Sequence, residues 1–457
     1  MSGALENTMK TSSTTLFHNH SHGKRDQRCM NMGMGMPFVL TSISMASIFC
    51  FFFLFSPNPL TLVPDQDRDV FENHPQQKEQ QHVMTMIPKP SSPKPHKVQK
   101  SCDLFKGHWV PSLGGSSSYY TNSSCTTIPE SKNCFKEGRK DSDFLNWKWK
   151  PEQCELPRFD PRTFLHMVRG KKMAFIGDSV ATNHMDSLLC ILSQEEAPKD
   201  IYKGSEEKFQ KWYFPNHDFT IMLLWSRFLI VGEERMVNGT GSSTFDLQID
   251  KVDDDWAKEL PELDYAIISD GHWFFRVMYL HEASKLVGCV FCNQPNITDY
   301  GVDSIFRIAF RTAFKYINDC KECKKTVTLM RTFAPAHFEN GFWDTGGYCN
   351  RTGPVSEGEV DFGSFDWKAR NIQMEEFERA KSEGRKNGKR FEVVDVTKAM
   401  LMRPDGHPGE HWGNKWMRGY NDCTHWCLPG PVDLWSELLF AVLQREAGMS
   451  SELEAQT

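Results

Sequence analysis

A serine, a histidine and an aspartate in this chain stand in settings from which an ester could be cleaved or made. Near the C-terminus, in Tyr420-Asn-Asp-Cys-Thr-His-Trp-Cys-Leu-Pro-Gly-Pro, Asp422 and His425 are three residues apart. One turn of chain can set that carboxylate beside that imidazole. A carboxylate on one ring nitrogen fixes the tautomer and leaves the other nitrogen as a base toward a hydroxyl. The hydroxyl that suits is far upstream, Ser179 in Met173-Ala-Phe-Ile-Gly-Asp-Ser-Val-Ala-Thr-Asn-His. Each signal has a plain alternative: Ser179 as a helix N-cap, and Asp-x-x-His as a pair on a surface loop. Taken singly, the plain readings are the stronger ones. Taken together, the three residues supply a nucleophile, a base and an acid that orients the base.

Something must hold the serine at a junction. Residues 173–176 are four apolar residues in a row and read as a short buried strand. Gly177 permits a tight turn after it, and Asp178 leads into a helical pattern over 181–192. Backbone N–H groups at that helix start could stabilise an oxyanion. Downstream, strands are expected at 220–225, 265–269, 326–331 and 391–396, alternating with helices at 303–317, 372–382 and 432–446. Such alternation predicts a parallel α/β sheet with its site at the carboxyl ends of the strands. The Asp422/His425 loop precedes the last of these helices, which brings it to the same edge.

The chain of 457 residues carries a net charge of −6 and no basic stripe, which argues against nucleic-acid binding. Residues 1–35 read as a polar tail. The His18-Asn-His-Ser-His22 cluster in it has nothing nearby to fix a metal site, and no metal is expected. Residues 36–55 carry no charge, follow Lys24, Arg25 and Arg28, and precede Asp65, Asp67 and Asp69. About 20 such residues can cross a bilayer, and the flanking charges put the N-terminus in the cytosol and the rest in a lumen. Residues 56–100 are Pro-rich and read as a stem. Beyond it lie Cys102, Cys125, Cys134, Cys154, Cys190, Cys289, Cys292, Cys320, Cys323, Cys349, Cys423 and Cys427, an even set that reads as disulfides rather than zinc ligands. Sequons at Asn122, Asn238, Asn296 and Asn350 accord with a lumenal location. Residues 101–155 read as a Cys-rich subdomain, 156–446 as the catalytic domain and 447–457 as a tail.

Gly177-Asp178-Ser179 with Asp422-x-x-His425 resembles the signature of SGNH/GDSL-type acyl-processing enzymes. Cys102-Asp-Leu-Phe-Lys-Gly-His-Trp-Val110 and the Cys-rich stretch after it resemble the plant trichome birefringence-like family over residues 101–446. That resemblance implies an SGNH-hydrolase-like sheet flanked by helices, in a type II protein of the Golgi membrane. It implies O-acetyl transfer to a wall polysaccharide through an acetyl-serine. It also implies that the loop of Asp422 and His425 is crosslinked to upstream segments. Arg331-Thr-Phe-Ala-Pro-Ala-His-Phe-Glu-Asn-Gly-Phe-Trp-Asp-Thr-Gly-Gly-Tyr-Cys349 and Gly288-Cys-Val-Phe-Cys292 are similar to its xyloglucan-acetylating branch, implying galactosyl side chains as acceptor. Two positions depart from the pattern. Thr182 stands where the family often has Arg, and Ser269-Asp-Gly-His-Trp-Phe274 stands where the SGNH class offers an Asn to the oxyanion. The Ser179 N–H is then the first expected oxyanion donor, with Gly177, Asp178, Asn183, His272 and His337 as further oxyanion or substrate candidates. No cofactor is implied, and the sequence identifies neither the acetyl donor nor a membrane partner that would supply acetyl groups. Three other readings stay open: acetylation of another wall polymer (xylan, mannan or pectin); a polysaccharide acetylesterase, which uses the same residues with water as acceptor; and a non-catalytic polysaccharide binder with Trp273, Phe274, Trp343 and Trp412 as sugar platform and a vestigial triad.

Overall fold

The computed structural model describes residues 102–112, 117–204, 208–413 and 419–448. The expected cytosolic tail, anchor and stem lie outside these residues, as does most of the C-terminal tail. Among the described residues no helix is long and apolar enough to cross a membrane.

In chain order the strands are β1 (Gly107–Pro111), β2 (Trp147–Pro151), β3 (Lys172–Gly177), β4 (Lys199–Lys203), β5 (Phe209–Phe214), β6 (Phe219–Trp225), β7 (Ile230–Val237), β8 (Thr240–Val252), β9 (Tyr265–Ser269), β10 (Val277–Glu282), β11 (Lys285–Val290), β12 (Val327–Arg331) and β13 (Arg390–Val394). The helices are α1 (Pro161–Met167), α2 (Ser179–Leu192), α3 (Asp254–Ala257), α4 (Gly301–Asp319), α5 (Phe365–Arg385), α6 (Thr397–Leu401) and α7 (Asp433–Glu446). The main sheet runs β13-β12-β9-β3-β6-β5-β4. Its first five strands are mutually parallel, and they are the five expected from the sequence.

β3 lies in the middle of this sheet and shows why it is buried on both faces. Met173 and Phe175 point into a core shared with α2 and α7, through Leu188, Leu189, Leu438 and Leu439. Ala174 and Ile176 point the other way, into a core with Ile305, Phe306, Phe310 and Phe314 of α4 and Phe377 of α5. A strand covered by helices on both faces is a continuous apolar run rather than an alternating one, which is why 173–176 was visible in the sequence. On α4 the buried residues recur at Ile305, Phe306, Ala309, Phe310, Ala313, Phe314 and Ile317, one stripe of a 3.6-residue period.

The expectation of a wholly parallel sheet needs correcting. β6–β5 and β5–β4 pair antiparallel, and a second, four-stranded sheet runs β11-β10-β8-β7. β7 and β8 read Ile-Val-Gly-Glu-Glu-Arg-Met-Val and Thr-Gly-Ser-Ser-Thr-Phe-Asp-Leu-Gln-Ile-Asp-Lys-Val, with most side chains reaching solvent. Such strands gain too little apolar density to stand out from loops; their evidence is in pairing, not in local pattern.

Residues 102–155 contribute Leu104, Tyr120 and Trp149 to the same core as α2 and α7. Cys102–Cys154, Cys125–Cys190 and Cys134–Cys427 tie this segment to itself, to α2 and to the C-terminal loop. A buried ion pair from Lys132 to Asp186 (2.8 Å) and a Tyr120–Asp433 hydrogen bond (2.8 Å) complete the joint. The other crosslinks are Cys289–Cys292, Cys320–Cys323 and Cys349–Cys423, so all twelve cysteines downstream of the stem are paired.

Candidate active site

β3 ends at Gly177, whose φ of +145° lies where L side chains are strained. A Cβ there would stand 1.7 Å from the Ser269 carbonyl oxygen on the neighbouring β9. Only glycine lets the strand end this close to its neighbour. The N-cap of α2 is Asp178, whose Oδ1 accepts from the Val180 N–H at 2.9 Å. This disposes of the plain reading of Ser179: the cap is its neighbour, and Ser179 is the first helical residue with its hydroxyl free for another partner. As first residue its N–H also has no acceptor within the helix.

That partner is His425, with Nε2 2.7 Å from Ser179 Oγ. On the far side of the ring, Nδ1 donates to Asp422 Oδ2 at 2.8 Å, while Asp422 Oδ1 accepts from the Thr424 and His425 N–H groups. Burial alone would raise the Asp422 pKa. The charge and hydrogen bonds of His425 overcome it and hold the carboxyl down at about 2, ionised and fixed as the ring's orienter. The His425 side chain is 26% exposed, so a substrate can reach the serine–histidine pair.

No helix or strand carries residues 422–427; other segments hold them. Asp422 exchanges both backbone hydrogen bonds with Gly409, and Cys423 is bonded to Cys349. The His337 N–H donates to the Cys423 carbonyl. Cys427 is bonded to Cys134 and its N–H donates to Gly406 O. Asn183, one turn into α2, accepts from the Trp426 N–H (2.7 Å) and donates to the Trp426 carbonyl (3.2 Å). The helix that begins at Ser179 thus grips the loop that carries His425. Asn183 is completely buried with its amide committed there, so it positions the loop and does not serve as the oxyanion donor the sequence suggested.

His337, another oxyanion or substrate candidate, has a structural place instead. It stands behind the histidine loop, Nδ1 2.7 Å from His407 Nε2, and His407 Nδ1 is 2.7 Å from the His425 carbonyl. With both rings neutral, His337 donates to His407 and His407 donates to His425 O. A further proton would add a bond from His337 Nε2 to Leu401 O at 3.2 Å. Burial pushes His337 down to about 4 and His407 well below its ordinary value, so the pair is neutral near pH 7.

Asp178 is the knot on the other side. Its Oδ2 accepts from the Gly271 and His272 N–H groups and from His272 Nδ1 (3.2, 2.9 and 3.1 Å). Against full burial, His272 and the nearby Arg331 charge hold its pKa well below the usual carboxylate range. His272 Nε2 lies 2.9 Å from Ala334 O, and the ring stacks on Phe333, so it braces the turn. Beneath lies a buried pair the sequence did not reveal as part of the site. Asp270 is pushed well above its ordinary value by burial and by Asp178, and Arg331 stacks on Trp435 and donates to Ser269 Oγ. Arg331 closes an apolar strand, and its full burial (1% exposed) was the signal only a structure supplies. Thr182 donates back to the Asp178 carbonyl (3.4 Å), a local contact without charge. The four sequon asparagines, Asn122, Asn238, Asn296 and Asn350, are all exposed. Among the described residues no three side chains gather as a metal site.

A partly exposed serine–histidine pair with a buried aspartate behind it, at the carboxyl edge of a parallel sheet, is equipped for acyl transfer. Comparison with known proteins agrees with that chemistry. Residues 156–442 match the PC-Esterase model, described as a GDSL/SGNH-like acyl-esterase family found in Pmr5 and Cas1p, and residues 100–155 match the PMR5 N-terminal domain. The chain is 61% identical over 352 residues to Xyloglucan O-acetyltransferase 4 of Populus trichocarpa, covering 77% of this chain and 83% of that protein. It is 55% identical over 350 residues to xyloglucan O-acetyltransferase 2 of Arabidopsis thaliana (76% and 84% covered). It is 46% identical over 351 residues to protein trichome birefringence-like 19 of the same plant (76% and 82% covered). The chain therefore belongs to the GDSL/SGNH-like acyl-esterase family found in Pmr5 and Cas1p.

Proposed function

We propose that this protein is an O-acetyltransferase that acetylates xyloglucan, on galactosyl side chains, by way of an acetyl-Ser179 intermediate. The observation that carries the reading is the Ser179–His425–Asp422 row, 2.7 and 2.8 Å between successive partners, in a chain whose similar relatives are named xyloglucan O-acetyltransferases. In the first half-reaction His425 Nε2 takes the Ser179 proton as Oγ bonds to the acetyl carbonyl carbon of the donor. The tetrahedral oxyanion lies near the Ser179 N–H; as it collapses, the donor's leaving group departs with the proton from His425. In the second, His425 removes the proton of a sugar hydroxyl, whose oxygen attacks the acetyl-serine. Ser179 leaves and recovers the proton. Residues 36–55 serve as a type II anchor that keeps the domain in the Golgi lumen, with 56–100 as its stem and the exposed sequons glycosylated. The acetyl donor is an activated acyl compound or a membrane partner.

The test is mass spectrometry of the purified ectodomain with an acetyl ester donor and a panel of xyloglucan, xylan, mannan and pectin oligosaccharides. Acetylated xyloglucan product is expected, with a rate loss of about three orders of magnitude or more in Ser179→Ala. Acetate release with no acetylated sugar would make the protein an esterase instead. Undiminished transfer by Ser179→Ala would end the assignment of the nucleophile.

A further inference from the structure

Four aromatic and basic side chains, Trp225, Trp273, Arg276 and Trp343, are not used by the acyl-transfer machinery. Trp225 ends β6 in register with Gly177, and its ring meets Trp273 edge-on at 5.9 Å. Trp273 follows His272, whose backbone is pinned to Asp178, so this indole is fixed next to the nucleophile turn. The Arg276 guanidinium lies 5.3 Å from the Trp273 ring and 4.5 Å from the ring of Trp343. Among the described residues no carboxylate lies within ion-pair distance of Arg276. A half-buried guanidinium clamped between two indoles keeps its fork of donors unspent.

Trp343 is carried on a compact hairpin. Glu339 and Tyr348 pair across its neck, the Gly347 N–H donates to Phe342 O (3.0 Å), and Thr345 Oγ1 accepts from the Phe342 N–H (2.7 Å). Its neck is so tight that a Cβ on Gly347 would come within 2.7 Å of Gly341 backbone. The hairpin is thus built to hold Phe342 (70% exposed) and Trp343 (41% exposed) outward, although solvent exposure costs such side chains burial they could otherwise gain. Its far end is joined to the histidine loop by Cys349–Cys423 and by Asn421 donating to Gly347 O. The platform therefore spans from the nucleophile turn to the loop of the base.

We propose that Trp273, Arg276 and Trp343 form the acceptor subsite of the acetyl transfer, where a neutral pyranose stacks its C–H face on Trp343 while Arg276 donates to its hydroxyls. This rests on the transferase reading above. The neutral ring follows from the transferase reading, whose xyloglucan acceptor is uncharged; around Arg276 the Glu234 carboxylate is already paired with Arg227 at 3.8 Å.

Two measurements separate this inference from the activity on which it rests. The first is binding of a xyloglucan oligosaccharide to Ser179→Ala protein by titration calorimetry, alone and combined with Trp343→Ala or Arg276→Ala, with an oligogalacturonide as second probe. The second is steady-state acetyl transfer by Trp343→Ala, Trp343→Phe and Arg276→Ala in an otherwise wild-type chain, with Tyr202→Ala as a distant exposed control. Weakening of binding and a rise in acceptor KM of about tenfold or more are expected for both alanine variants, with kcat at saturating acceptor falling much less and Trp343→Phe recovering most of the loss. Unchanged binding and KM in the alanine variants, or tighter binding of oligogalacturonide than of xyloglucan oligosaccharide, would overturn the subsite. Failure of the wild-type chain to acetylate any sugar would instead strike the transferase reading, and the calorimetry would still decide the subsite.

Discussion

The two halves of the site are held by different physics. Ser179 is placed by regular structure: a buried strand, a glycine that alone can pass Ser269, and a capped helix. His425 is placed by partners from five separate regions of the chain, two of them through disulfides, with no element of its own. A local scaffold fixes one reactant and a set of remote clamps fixes the other. The first fails all at once, whereas the second can be loosened one clamp at a time.

Perturbations should separate the halves in order of size. Gly177→Ala carries the largest cost, more than about 4 kcal/mol, because β9 backbone would have to move. The expected outcome is loss of cooperative thermal unfolding and of secretion, not a folded protein with a damaged site. Removing Cys134–Cys427 by paired serine substitution should cost about 2–5 kcal/mol and lower kcat, yet leave the circular dichroism of the α/β core intact. Acid should act next. His337 has its folded pKa depressed to about 4 from the ordinary 6.5, so the unfolded chain binds more protons between these values. Stability is then lost as pH falls from 6.5 toward 4, by up to about 3 kcal/mol. Asp422, at about 2 in the folded state, contributes stability above pH 4 that disappears only as pH falls further toward 2. Hydrogen exchange at pH 5 should therefore show residues 422–427 loosening before 177–183. Asn183→Ala should cost about 1–3 kcal/mol by leaving the buried Trp426 N–H and carbonyl unpaired, with Asn183→Asp, which still accepts from the N–H, falling between. Smallest is the pair at His407: Asn keeps a donor where Nδ1 stood and should retain most activity, while Phe should lower kcat about tenfold with little change in KM.

The same contrast explains what was legible beforehand. The five parallel strands, the four long helices and the glycine turn were readable because each is a local pattern of apolar residues or a steric demand. Asp-x-x-His was readable because its two members are one turn apart. Asn183 and His337 were singled out but given the wrong work, since their partners, Trp426 and His407, are remote in sequence and no spacing rule connects them. Arg331 and Asp270 were not singled out as site residues because their meaning depends on burial together under Asp178. The four-stranded sheet stayed hidden for the related reason that its half-exposed strands are defined by their pairing.

The Cys134–Cys427 crosslink closes a span of 293 positions around nearly the whole domain. It also sets a clock. During synthesis the nucleophile turn emerges with its strand and helix long before the base exists, and the loop that bears the base can be locked only after residue 427 has been made. A nascent chain consequently carries an unactivated serine throughout its growth. On the proposed mechanism, full activity waits until the last stretch folds back and the crosslink clamps it, so activity should rise as Cys134–Cys427 forms.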